Sequence, residues 1–63
     1  MKTTLIRDKA NNFIGKIMDE DNQSRIFDKS GNFAGRYDKK TDRTFSKDGN
    51  YFGSGDQLRR LIN

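Results

Sequence analysis

Apolar residues along this chain come in ones and twos between polar residues, and polar clusters cut the pattern about every ten residues. Five of those clusters carry turn chemistry. A type I turn favours Asp, Asn or Ser first and Gly fourth. With Gly or Asn left-handed in that fourth place, it becomes a three-residue hairpin loop. Asp28-Lys29-Ser30-Gly31 and Ser46-Lys47-Asp48-Gly49 fit this rule, and Asp8-Lys9-Ala10-Asn11 and Asp19-Glu20-Asp21-Asn22 fit it with Asn as the left-handed residue. Asp38-Lys39-Lys40-Thr41 fits least, because β-branched Thr41 resists that conformation; a longer loop reaching Asp42 is the alternative.

Five turns define six short strands, near 3–8, 12–18, 24–28, 32–38, 43–46 and 50–53, joined up and down as an antiparallel meander. The chain is a threefold hairpin repeat. Ile6-Arg7-Asp8-Lys9-Ala10-Asn11-Asn12-Phe13-Ile14-Gly15 returns from Ile26 to Gly35 and again from Thr44 to Gly53. After the strands of 3–53, Ser54 and Asp56 are candidate caps for a short helix over 55–62, with Leu58, Leu61 and Ile62 on one side. So short a helix persists only if it docks on the sheet. The expected fold is mainly β: one domain over 1–63, three hairpins forming a coiled sheet or a small barrel, and a C-terminal helix.

Side chains alternate along a strand, so unbroken alternation through each hairpin loop sorts them into two faces. Odd positions give Leu5, Arg7, Phe13, Gly15, Ile17, Arg25, Phe27, Phe33, Gly35, Tyr37, Arg43, Phe45, Tyr51 and Gly53. Even positions give Ile6, Ile14, Lys16, Met18, Ile26, Ala34, Arg36, Thr44 and Phe52. Phe27 then opposes Phe33, Phe45 opposes Tyr51 and Arg7 opposes Phe13, while Arg25 faces Gly35 and Arg43 faces Gly53. Because aromatics dominate small cores, the odd face is the expected core, its arginines reaching out at the rim. The alternative makes the even face and the helix the core, and leaves Phe13, Phe27, Phe33, Tyr37, Phe45 and Tyr51 as an exposed aromatic platform that needs a partner.

Composition narrows the function classes. Sixty-three residues make one marginally stable domain. With no Cys and no His, neither a disulfide framework nor a Cys/His zinc site is available, and the usual catalytic bases and nucleophiles are missing. The carboxylates fall in turns, where turn chemistry accounts for them. Counting from Asp28, the sixth residue is Phe33 and the twelfth Lys39, so a calcium loop does not fit. "GNYFGSG" lacks the lysine of a phosphate-binding loop. The expectation is a chain that is not an enzyme and uses no cofactor or metal.

The net charge of +4 and pI near 9.7 permit contact with nucleic acid, although the signs are interspersed as on an ordinary surface. Lys39, Lys40 and Arg43 cluster at one turn and Arg59 and Arg60 lie outward on the helix, which makes these five the candidate basic surface. No secretory signal or membrane span is evident, so the expected setting is the cytoplasm with no membrane contact.

The Asp-Lys-x-Gly-Asn-Phe-x-Gly repeats, closing in Gly53-Ser54-Gly55-Asp56-Gln57-Leu58-Arg59-Arg60-Leu61-Ile62, resemble small uncharacterised bacterial, prophage-type β-hairpin-repeat proteins across nearly the whole chain. They are similar in rhythm to MORN repeats, whose aromatic-glycine hairpins tile into sheets, but Trp is absent and Asp-Lys turns replace the MORN pattern. Neither resemblance implies an activity. The leading expectation is an accessory or regulatory module that works by protein contact, a homodimer included, through whichever sheet face is uncovered. The competing class is single-stranded nucleic-acid binding by aromatic and Arg/Lys residues on the sheet.

Overall fold

The computed structural model describes residues 2–62, which form one antiparallel sheet in which each strand pairs with its sequence neighbours. The strands are β1 (Lys2–Arg7), β2 (Phe13–Asp19), β3 (Gln23–Asp28), β4 (Phe33–Asp38), β5 (Arg43–Ser46) and β6 (Tyr51–Ser54). The mainly β meander expected from turn spacing is therefore the fold. Of the two forms left open, the sheet is the open one: β1 and β6 are free edges and no barrel closes.

The three repeated hairpins use the expected turns. Asn11, Gly31 and Gly49 take left-handed conformations, with φ of 68°, 88° and 85°. In the first two, the leading aspartate ties the loop together. Asp8 Oδ1 accepts from the amides of Ala10 and Asn12, both at 2.9 Å, and Asp28 Oδ1 accepts likewise from Ser30 and Asn32. The other two loops depart from the simple rule. Asn22 is not left-handed, and Glu20 N instead donates to Gln23 O at 2.8 Å. Asp42 takes the left-handed position (φ 56°), so the loop between β4 and β5 spans 39–42, the longer of the two expected forms.

One irregularity repeats and decides the rest. Within each hairpin, Arg7 pairs with Phe13, Phe27 with Phe33 and Phe45 with Tyr51, as expected. The next pairs are Ile6 with Gly15, Ile26 with Gly35 and Thr44 with Gly53. Ile14, Ala34 and Phe52 are thus extra residues at β-bulges. An extra residue inverts the alternation beyond it, so simple odd-even sorting fails halfway through each hairpin. Arg25 faces Arg36 rather than Gly35, and Arg43 faces Ser54 rather than Gly53.

With the bulges included, one face gathers Thr4, Ile6, Gly15, Ile17, Ser24, Ile26, Gly35, Tyr37, Thr44 and Gly53. This is the core side. Ile6, Ile26 and Leu58 are buried, and Ile14, Ile17, Ala34, Tyr37, Leu61 and Ile62 pack around them. The core is aliphatic, and the expectation of an aromatic core is overturned. The expected helix over 55–62 shrinks to one 3-10 turn, Leu58–Leu61, whose first amide donates to Asp56 Oδ1 at 3.2 Å. A single turn suffices because the segment is held by its docking rather than by helical hydrogen bonds.

The glycines explain how it docks. A β-carbon at Gly15 would meet Ile62 Cδ1 at 2.6 Å, one at Gly35 would overlap Leu61 Cδ1, and one at Gly53 would touch Gln57 Cγ at 3.4 Å. The repeated glycine thus clears a track across the sheet along which the tail lies. Thr44, fully buried, fastens the start of that track: its Oγ1 donates to Gly55 O at 2.6 Å and accepts from Gln57 N at 3.0 Å.

Candidate functional site

The tail covers one side of the sheet, and the side chains of the other side alternate in a regular way. Four rows cross the strands there, each following the residue pairing. They are Arg7–Phe13, then Leu5–Lys16–Phe27–Phe33, then Met18–Arg25–Arg36–Phe45–Tyr51, then Asp38–Arg43–Ser54. The repeat generates this order. The second and third hairpins each contribute an aromatic pair at the tip, and the first contributes Arg7 with Phe13. The next residue on the same face after the repeated glycine is Lys16 in the first copy and Arg36 in the second. The meander sets Lys16 beside Phe27 of the second hairpin, and Arg36 beside Phe45 of the third.

Cations accordingly stack on rings. Arg36 lies 4.5 Å from the Phe45 centroid, Lys16 5.6 Å and Arg25 6.0 Å from Phe27, and Arg43 5.9 Å from Tyr51. The rings also hold one another edge to face, Phe27 against Phe33 at 5.9 Å and Phe45 against Tyr51 at 6.2 Å. Phe27 and Phe45 are half-buried by these neighbours. The outer ring of each hairpin is open: Phe13 is 39% exposed, Phe33 37% and Tyr51 58%. The face is thus a platform of fixed rings, close to the second of the two expected arrangements, but with corrected membership. Tyr37 does not belong to it. Tyr37 packs on the core side, where its hydroxyl donates to Asp42 and the adjacent carboxylate holds its pKa above the ordinary value.

Five cations stand on the platform: Arg7, Lys16, Arg25, Arg36 and Arg43. Two carboxylates answer them. Glu20 pairs with Arg25 at 2.5 Å and Asp38 reaches Arg36 at 3.9 Å. Among the described residues, Arg7, Lys16 and Arg43 have no carboxylate within 4.0 Å. Lys16 and Arg36 sit on alternating positions that the bulge moves from one face to the other, which is why odd-even sorting missed them.

The basic cluster expected from the sequence does not come together as one surface. Arg43 joins the aromatic platform. Lys39 is committed: its Nζ lies 2.6 Å from Asp19 Oδ1 and 2.7 Å from Glu20 O, bracing one turn against the next. The Lys39 ammonium, and then the Ser24 hydroxyl at 2.6 Å, hold Asp19 below the usual carboxylate range. Lys40 is exposed at the loop. Arg59 and Arg60 ride on the tail, on the opposite side from the rings, where Arg60 Nη1 donates to Gln57 Oε1 at 3.3 Å.

A groove of about 710 Å³ lies at the hairpin-tip end, with Ile14, Ala34, Leu61 and Ile62 among its lining and Lys29, Ser46 and Lys47 at its rim. Of the two carboxylates there, Asp28 is spent on its own turn, chiefly through the Asn32 amide, which holds its pKa down, and Asp48 lies exposed in the turn of the third hairpin. No cluster of three or more metal-ligating side chains occurs among the described residues, and no helix among them is long and apolar enough to cross a membrane. Comparisons with protein-family models, curated proteins and solved structures give no match.

Proposed function

We propose that this chain is a non-enzymatic binding module, an accessory or regulatory factor that meets a macromolecular partner through the platform of Phe13, Phe33, Tyr51 and their interleaved cations. The observation that supports this reading is the exposure of rings that are nevertheless held in place. Phe33 and Tyr51 each pack edge to face on a half-buried neighbour, yet both stay open to solvent. Aromatic and arginine side chains fixed before binding lose little freedom on contact, and they dominate the energetics of interfaces. An open, cation-studded sheet face suits a macromolecule better than a small molecule, which needs a cleft.

The test compares surfaces and does not presuppose the partner. One variant carries Phe33→Ser and Tyr51→Ser, and another carries Arg59→Ser and Arg60→Ser on the opposite side. Both are compared with the parent chain by light scattering at micromolar concentration and by oligonucleotide titration. Any association, whether a mass above 7.3 kDa or a bound oligonucleotide, is lost in the first variant and kept in the second. Association that survives the ring substitutions and disappears with Arg59 and Arg60 overturns the reading, as does a strict monomer that binds nothing.

A further inference from the structure

The platform has a chemistry more specific than exposed apolar surface. Its second row runs Lys16–Phe27–Phe33 and its third Arg25–Arg36–Phe45–Tyr51, so in each a cation stands one strand away from an aromatic pair. Neighbours in a row are about 4.8 Å apart, and successive rows about 6.7 Å apart along the unbulged strands β1, β3 and β5, by the ordinary geometry of a β-strand. The surface therefore offers positive charge and π-surface in alternation, several times over, along a diagonal from the first hairpin to the third. A partner that matches it carries negative charge and flat rings in the same alternation. We infer that the partner of this platform is a single-stranded nucleic acid, with bases on Phe13, Phe33 and Tyr51 and phosphates against Arg7, Lys16, Arg36 and Arg43.

Three observations carry this. The charge on the face is asymmetric, with five cations against two carboxylates, while the remaining acids are largely committed to turns. The three open rings sit at equivalent places on β2, β4 and β6, so each can take a base without disturbing the next. Arg7, Lys16 and Arg43 have no carboxylate within 4.0 Å among the described residues, which leaves their charge for a phosphate. A duplex does not fit, because its bases are stacked inside and nothing here is shaped for a groove. The stacking is sequence-tolerant, since every base has a π-face.

The inference rests on the reading of the platform as the working surface, and its test separates the two. The probes are fluorescein-labelled dT12, the corresponding duplex and inorganic polyphosphate, titrated between about 50 and 200 mM salt. The parent chain binds dT12 with quenching of Tyr emission, and binds the duplex and polyphosphate more weakly. Phe33→Leu or Tyr51→Leu, which keep bulk and remove the ring, weaken dT12 binding by about 5- to 150-fold, whereas Tyr51→Phe keeps the affinity. Lys16→Gln or Arg36→Gln each lower the slope of log K against log salt by about 0.7. Lys40→Gln and Arg59→Gln change neither quantity. No dT12 binding at about 50 mM salt overturns the inference. So does polyphosphate binding as tight as dT12 binding and indifferent to the ring substitutions, which would mark charge alone. A chain that dimerises through the platform and ignores dT12 overturns the nucleic-acid partner while leaving the platform as the working surface.

Discussion

Leu61 rests against the backbone of Gly35, in the space a β-carbon would occupy. The same relation joins Ile62 to Gly15, and in both cases a backbone carbonyl of the neighbouring strand closes the other side. Gly15→Ala and Gly35→Ala therefore push the tail off the core or distort the sheet, at about 1–3 kcal/mol each. In a domain of this size that lowers Tm by roughly 4–8 °C per kcal/mol. Gly53→Ala meets only the flexible Gln57 side chain at 3.4 Å and costs within about 0.5 kcal/mol. Thermal unfolding of the three variants checks the series. Equal losses at all three positions would show that the glycines serve the bulges rather than the tail.

Thr44 is the third repeat's counterpart of Ile6 and Ile26, and its hydroxyl is the difference. It bridges Gly55 O and Gln57 N where the chain leaves the sheet to cross the core. Thr44→Val keeps the shape and strands both partners, at about 1–3 kcal/mol. Thr44→Ser keeps the bridge and loses one methyl, at about 0.8 kcal/mol. Denaturant unfolding ranks parent, Ser and Val in that order, with faster hydrogen exchange at the Gln57 amide in the Val variant. A Val variant as stable as the parent would mean that Leu58 burial alone holds the tail.

The turns were legible because their chemistry is local: Asp28, Gly31 and Asn32 carry the loop within five residues. The aromatic pairs followed directly, since they lie next to the turns and before the bulges. What the sequence hid was a count of one. Nothing in Phe33-Ala34-Gly35 announces that Ala34 is extra, because the bulge arises where the strand bends over a glycine on which a residue 26 positions later will rest. That single step moved Tyr37 to the core side and Lys16 and Arg36 to the platform. The helix failed for the opposite reason. The spacing of Leu58, Leu61 and Ile62 is right for a helix, but the same side chains also fit a single turn laid along the glycine track.

Lys39 and Lys40 are adjacent and chemically alike, yet only Lys39 reaches across to Asp19 and Glu20 O. Lys39→Ala releases the Asp19 carboxyl, whose pKa then rises toward the usual carboxylate range, with Ser24 still holding it partly down. Lys40→Ala leaves it in place. NMR titration of the Asp19 side chain reads the difference, and an Asp19 that titrates identically in both variants would assign its stabilisation to Ser24.

Acid should loosen the hairpins before it unfolds the core. Asp8 and Asp28 are held below their ordinary pKa mainly by the amides of Asn12 and Asn32, and Asp19 by Lys39. A carboxyl with a depressed pKa takes up protons less readily folded than unfolded. The unfolded chain therefore gains protons first as pH falls, and stability drops with it. The contribution is complete above the ordinary aspartate pKa of about 3.9 and disappears as pH falls through the lower folded values. Unfolding free energy is then flat from neutrality to about pH 5 and declines below about pH 4. Asp8→Asn with Asp28→Asn keeps an acceptor in each turn and removes the ionisation, so the double variant is less stable at neutrality and declines less steeply in acid. Ser46 already stands in the corresponding place of the third hairpin, so that turn has no leading carboxylate to titrate. Its Gly49 amide should keep its hydrogen-exchange protection at a pH where the Asn11 and Gly31 amides lose theirs. Simultaneous loss at all three turns would instead mark a single cooperative unfolding, with no separate role for the turn carboxylates.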